Sequence, residues 1–436
     1  MRDRSPLATW TMAGALVLTL AATTNVSRAQ TDSTWRDHER ALQAARQAND
    51  TTVYRAQLNA IYAGIGATQR IATRYAALAL GAHDIAGASR WMGALAAMGD
   101  ALDTGLVSQY GALAGPRAVD SLRATNALAM REVGTPMLVA RLPDADMISE
   151  DIAYDAKSDR FLVSSVHHGG IHAIARGRTT TLVEPGAHGT WGMFALGVDA
   201  ARNTLWSTTV ALSPITANFS PADSGRSALL RFDLRNGELR GTYAAPDTGA
   251  HALGDLVVAR SGAVYVSDGL GGGVYALAPG GDSLRVLVPR GALRSPQTPA
   301  LSSDDRTLFV PDYSIGIAAV DIASGKVTWL THSDSLALTG IDGMYRVGSD
   351  LIAIQNGSDP NRIVRLTLDH SMRRVTGAAA IARGPAASSL THATVVRGWL
   401  YFLTKSGWER AAEDGTMTAA ASAAEAPVIM RAHLAR

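Results

Sequence analysis

Glu150, Asp151, Asp255, Thr298, Asp342 and His392 each stand at or beside the start of a short apolar run. A second such run follows each one across a polar turn. If these runs are equivalent strands of a closed repeat, residues far apart in sequence become neighbours. Carboxylates gathered in one cleft repel one another and stay charged only if a cation or hydrogen-bond donors compensate. A hard divalent ion with oxygen ligands is the simple solution. Calcium suits it, because backbone carbonyls and neutral oxygens complete its shell. The chain has no cysteine, which excludes disulfides, thiolate zinc sites, iron–sulfur clusters and cysteine nucleophiles. It has no Gly-x-Ser-x-Gly elbow and no His-Glu-x-x-His pair.

The repeat that would converge these residues is legible. Ser149–Asp155 leads across Lys157–Arg160 to Phe161–Ser165, and Gly192–Val198 leads across Asn203 to Leu205–Thr209. Gly254–Val258 leads to Val264–Asp268, Thr298–Leu301 to Leu308–Asp312, Ile341–Met344 to Leu351–Gln355, and Thr391–Thr394 to Leu400–Thr404. Third and fourth strands follow in several units, as at Gly273–Leu277 and Leu284–Leu287. Asp255, Pro299, Asp342 and His392 are spaced 44, 43 and 50 residues apart. Six units of four antiparallel strands predict a six-bladed β-propeller over residues 134–436, with Thr135–Arg141 completing the last blade. The first strand of each unit is the innermost, so its start faces the central tunnel.

The units around Glu150, Gly254-Asp255 and Ile341-Asp342-Gly343-Met344 resemble the gluconolactonase / senescence-marker-protein / luciferin-regenerating-enzyme family of six-bladed propellers. The resemblance spans roughly Thr135 to the C-terminus. It implies one divalent ion in the tunnel, held by Glu150 and Asp342, and opening of a sugar lactone with Asp342 as general acid/base. Two family amides are replaced, by Thr298 and by Gly254, while Asp255 is kept. Asp255 or Gln355 would then supply replacement oxygens, giving a remodelled site for a lactone or related small ester. Asp342 and Asp255 are the catalytic candidates, and Thr298, Gln355, His392 and His167 the substrate-binding ones.

Each candidate also has a plainer reading. An aspartate before glycine or at a strand start is often a turn-former. His392 could be a satisfied core histidine, and His167-His168 a polar loop. Gln355-Asn356-Gly357 reads as a tight turn, although its amides could meet a polyol. Trp191 and Trp408 could stack on a ligand or pack between blades. Gly269–Gly273 opens no helix, which argues against a dinucleotide cradle.

From Trp35 to about Arg131 the apolar spacing is helical. Residues 30–133 are expected to form a helix-hairpin domain, with helices at Thr68–Leu80, His83–Met98 and Arg117–Arg131. Tyr75–Gly99 resembles one tetratricopeptide-type helix pair, which implies a protein partner, and a plain bundle bracing the propeller fits equally. Residues 1–29 read as an export signal: Arg2 and Arg4, an 11-residue apolar run at Met12–Ala22, then small residues around Arg28. A periplasmic or extracellular protein without stable membrane insertion is expected. A net charge of +2 gives no field for nucleic acid. A metal-dependent hydrolase with a small-molecule substrate is thus the first reading. A non-catalytic ligand- or protein-binding propeller is the second, and a metal-free strictosidine-synthase-type enzyme a third.

Overall fold

The computed structural model describes residues 35–212, 215–412, 416–420 and 422–434. The expected export signal at 1–29 lies outside these residues. Six helices come first: α1 (Trp35–Gln47), α2 (Thr51–Ile65), α3 (Gln69–Gly81), α4 (Ile85–Met98), α5 (Thr104–Ala114) and α6 (Pro116–Met130). Asp50, Thr68, Asp84 and Asp103 accept the third following backbone N–H and so cap α2 to α5. Helix α5 was not expected. Gly105 and Gly111 weaken its intrinsic signal, and the Asp103 cap and the contact with α6 compensate.

The helices fall into two compact units. The first, through Gly66, holds α1 and α2 paired together, with Leu42, Leu58 and Ile61 buried. The second begins at Ala67 and joins α3–α6 to everything that follows. Within it α3 and α4 form a tight hairpin, with the Tyr75 and Trp91 rings stacked at 4.5 Å. Arg362 of the β region is buried and donates to the carbonyls of Met98 and Gly99, where α4 ends. These carbonyls have no partner within the helix, and a cation suits them.

The β region is a six-bladed propeller of six four-stranded antiparallel sheets. Blades 1 to 5 run through residues 149–183, 192–244, 253–288, 300–329 and 341–383. Blade 6 takes three strands from residues 393–433, and its outermost strand is Met137–Arg141, paired with Val428–His433. The first strand of the region thus seals the ring, as expected for Thr135–Arg141. Apolar clusters fill the space between successive blades, for example Met193, Leu205 and Phe232 against Ala153 and Leu162. A cavity of about 620 Å³ runs along the axis, lined by inner-strand residues of every blade, among them Asp151, Leu196, Leu256, Ala300, Tyr345 and Ala393.

The inner strands break register where they begin. Pairing slips between Ser149 and Ile152, Met193 and Leu196, Leu253 and Asp255, and Ile341 and Gly343. Each slip is a β-bulge, which leaves a residue outside the ladder and re-aims its side chain. In blades 1 and 2 a hydroxyl on the next strand satisfies the displaced backbone: Ser164 accepts from Asp151 N at 2.9 Å, and Thr208 from Ala195 N at 3.1 Å. Thr208→Val keeps the shape and leaves the buried Ala195 N–H unpaired. It is expected to cost about 1–3 kcal/mol, read as a lower urea midpoint, whereas Thr180→Val on the exposed outer strand should leave the midpoint in place.

Candidate functional site

The bulges decide which acid joins the cluster of blades 1, 5 and 6. Asp151 is held by backbone, its Oδ1 accepting from Ile152 N and its Oδ2 from Leu196 N, both at 2.7 Å. It joins blade 1 to blade 2. Glu150, one residue earlier, has its carboxylate in the cluster. One ligand atom each from Glu150, Asp342 and His392 lie within 4.8 Å of one another. These residues come from blades 1, 5 and 6. Gly343 is required beside them, because a Cβ there would stand 2.9 Å from the Tyr345 hydroxyl and 3.3 Å from His392 Cδ2.

Each member of the trio has one polar atom tied and one uncommitted. Trp408 donates its indole N–H to Glu150 Oε2 at 2.5 Å, leaving Oε1. Asn356 donates to Asp342 Oδ2 at 2.6 Å, leaving Oδ1. Tyr313 donates in turn to Asn356 Oδ1 at 3.1 Å. His392 Nδ1 lies 2.8 Å from the Glu150 carbonyl, which can only accept, so Nδ1 carries the proton there. His392 Nε2 is buried and makes no aligned hydrogen bond, although Asp255 Oδ1 is 2.9 Å away, close enough for an ion pair. Thr298 donates its hydroxyl to that same Asp255 oxygen at 2.7 Å.

Burial is the main force on the charges. It raises the Glu150 carboxyl to about 8, reinforced by Asp342 and partly offset by His392. Burial raises Asp342 as well, with Asp255 adding to the effect. Asp151 is pushed up to about 6 by burial against the opposing pull of His392 and its two backbone donors. Burial alone would lower His392, but Asp342 and Asp255 reverse this and hold it well above its ordinary value. A proton on Nε2 and a divalent ion are therefore alternative answers to one excess of negative charge. The residues fit an ion. His392 Nε2, with Asp255 Oδ1 2.9 Å away, also lies within reach of the Glu150 and Asp342 carboxylates, and each donor is oriented by a second contact, the arrangement that metal ligands need.

The other sequence candidates are placed elsewhere. Gln355 is fully buried, its amide donating to the carbonyls of Ala337 and Thr339 and accepting from Arg362. It stands where Asp268 and Asp312 stand in blades 3 and 4, and those side chains also clamp the loop that precedes an inner strand. The neighbouring Asn356 is the residue that reaches the site. His167 donates from Nδ1 to the Ile215 carbonyl at 2.5 Å and lies against the His168 ring. Trp191 lies under the Arg226 guanidinium. The sequence places Asn356 in a tight turn whose amides could meet a polyol, and Trp408 as a ring that stacks on a ligand or packs between blades, and names neither as a site residue. Their distance in sequence from Asp342 and Glu150 hides the pairing.

No protein-family model matches this sequence, and no curated protein matches it. Similar solved structures include a gluconolactonase from Xanthomonas campestris, at 18% identity and a TM-score of 0.46, covering 69% of this chain and 95% of that one. A calcium-binding protein, regucalcin, from Agrobacterium tumefaciens is 15% identical, with a TM-score of 0.46 over 69% of this chain and 96% of that one. Virginiamycin B lyase from Staphylococcus aureus is 13% identical, with a TM-score of 0.47 over 68% of this chain and 99% of that one. At these identities the chemistry must be argued from the residues themselves.

Glu150, Asp151, Asp342 and His392 are all shifted upward, so the folded state holds their protons more tightly than the unfolded chain does. Their contribution is complete below the unfolded values and is lost as pH rises through the folded ones. With a chelator present, the melting temperature should fall as pH is raised from about 5 to about 8. Glu150→Gln should flatten the upper part of that fall. A melting temperature that rises across this range would contradict the assignment.

Proposed function

We propose that this protein is a hydrolase-type propeller that binds one divalent metal ion at Glu150, Asp342 and His392 and opens a lactone or related small ester. The observation that carries this reading is the meeting of three oriented donors from three blades within 4.8 Å. The ion would supply polarisation of the ester carbonyl. Calcium, expected from the acidic residues alone, would use the two carboxylates; the third donor here is a nitrogen.

The remaining steps belong to the protein's own side chains. Asp255 Oδ1 is fixed by Thr298 and faces His392, while Oδ2 has no hydrogen bond among the described residues. Asp255 is thus the carboxylate placed to take the proton of an attacking water. As the acyl–oxygen bond breaks, the same proton passes to the departing alkoxide. Asp342, tied to Asn356, is committed to holding the ion. Trp408 and Phe194, with ring centroids 6.4 Å apart, provide an aromatic wall beside Glu150.

Export is part of this proposal and rests on the pattern of residues 1–29. Among the described residues no helix is long and apolar enough to cross a membrane. A second reading, a non-catalytic propeller with docking helices of tetratricopeptide type, draws on a groove of about 680 Å³ between α5 and α6, lined by Leu102, Val107, Val119 and Met130.

Purified protein should carry one equivalent of a divalent ion by mass spectrometry and hydrolyse members of a panel of γ- and δ-lactones. Asp255→Asn should lower kcat by about 10²–10⁴-fold while the metal content stays whole. Asp342→Ala should lose both metal and turnover. Metal-free protein whose melting ignores chelator, inert toward every lactone, would support the second reading.

A further inference from the structure

We propose that His392 is itself a metal ligand, through Nε2, and that the site therefore selects a first-row transition dication such as zinc or cobalt over calcium. The inference rests on the metal-binding reading above and adds the chemical class of the ion. Three features of the cluster lead to it.

The first is the imidazole's orientation. Nδ1–H is spent on the Glu150 carbonyl at 2.8 Å. In the neutral ring this leaves the lone pair on Nε2, the tautomer in which a histidine ligates a metal while its other nitrogen is anchored to a carbonyl. Rotation is blocked, because the ring is 1% exposed and its Cδ2 packs against Gly343, where a Cβ would stand 3.3 Å from it.

The second is that Nε2, buried, has an ion-pair contact with Asp255 but no aligned hydrogen bond. Asp255 Oδ1 is near, but that oxygen already accepts from Thr298, and its line to Nε2 is poor for a hydrogen bond.

The third is the supply of oxygen. Calcium takes six to eight oxygens. The Thr298 hydroxyl is turned to Asp255 as a donor, and the Asn356 amide presents its nitrogen to Asp342. Asn356 Oδ1 is taken by Tyr313. Besides Asp255, whose Oδ1 accepts from Thr298 and lies 2.9 Å from Nε2, one nitrogen and two carboxylates remain. That is the three-ligand set, with a position open for water or substrate, of catalytic zinc sites. Imidazole nitrogen favours zinc, cobalt, nickel and iron over the hard alkaline-earth ions.

The test uses untagged full-length protein stripped with chelator and dialysed against an equimolar mixture of zinc, manganese, cobalt, magnesium and calcium. Bound metal is then measured by mass spectrometry. A transition ion should fill the site, with calcium at least about ten-fold lower. Protein loaded with cobalt(II) should show one hyperfine-shifted, slowly exchanging N–H proton, that of His392 Nδ1. His392→Asn should lose the signal and the selectivity. Should that variant fail to fold, the wild-type spectrum and competition decide alone. Calcium bound as tightly as zinc, or cobalt bound with no shifted N–H proton, overturns this inference and leaves the metal-dependent reading standing. Absence of any bound ion overturns both.

Discussion

A girdle of hydrogen bonds around the tunnel joins each inner strand to the next, and the site exists because the girdle closes. Ser164 of blade 1 donates to the Phe194 carbonyl of blade 2, and Thr208 of blade 2 lies 3.5 Å from the Gly254 carbonyl of blade 3. Thr298 ties blade 3 to blade 4 through Asp255 and blade 4 to blade 5 through the Asp342 carbonyl. The Tyr345 hydroxyl accepts from Ala393 N, and His392 reaches the Glu150 carbonyl to complete the circuit. Apolar packing between blades provides most of the favourable energy of such a fold. The girdle decides where each strand start sits, and so how near the carboxylates come.

Much of this was legible in the residues. A unit of constant length with Gly- and Asp-rich turns predicts a ring of sheets, and a ring predicts that strand starts converge. What the pattern could not show was register. A one-residue slip turns a side chain to the opposite face, so Glu150 and Asp151 were indistinguishable until the bulge between Ser149 and Ile152 was seen. The same holds at Gln355 and Asn356, where the amide that looked free is clamped and its neighbour reaches Asp342. The Ser164 and Thr208 hydroxyls are a signal that sequence reasoning passed over. They stand on the second strands of blades 1 and 2 and mark the bulges there. Trp408 belongs to a long insertion before the last strand, and nothing local ties it to Glu150.

The helices α3–α6 reach the same blade that supplies Asp342. Arg362 joins the end of α4 to Gln355, and Gln69 donates to Asp100, whose carboxyl is raised by burial against the pull of Arg362. A buried charged network of this kind adds little net stability, but removing one partner is costly. It fixes the strand end from which Asn356 projects. The helical segment beginning at Ala67 is therefore part of the scaffold that supports the site, whichever partners its outer surface meets.

Because the outermost strand of blade 6 comes from Met137–Arg141, the two ends of the propeller lie side by side in one sheet. In chain order that early strand waits for a mate that comes last among the strands of the propeller. Until then the nascent chain carries an unpaired strand, and the pairing that completes the ring spans nearly the whole domain. Contacts of such long sequence separation form slowly. Exposed strands in the interval invite pairing with other chains. The device that shuts the ring thus makes the interval before Met137–Arg141 finds Val428–His433 the time when this protein depends most on being shielded from its neighbours.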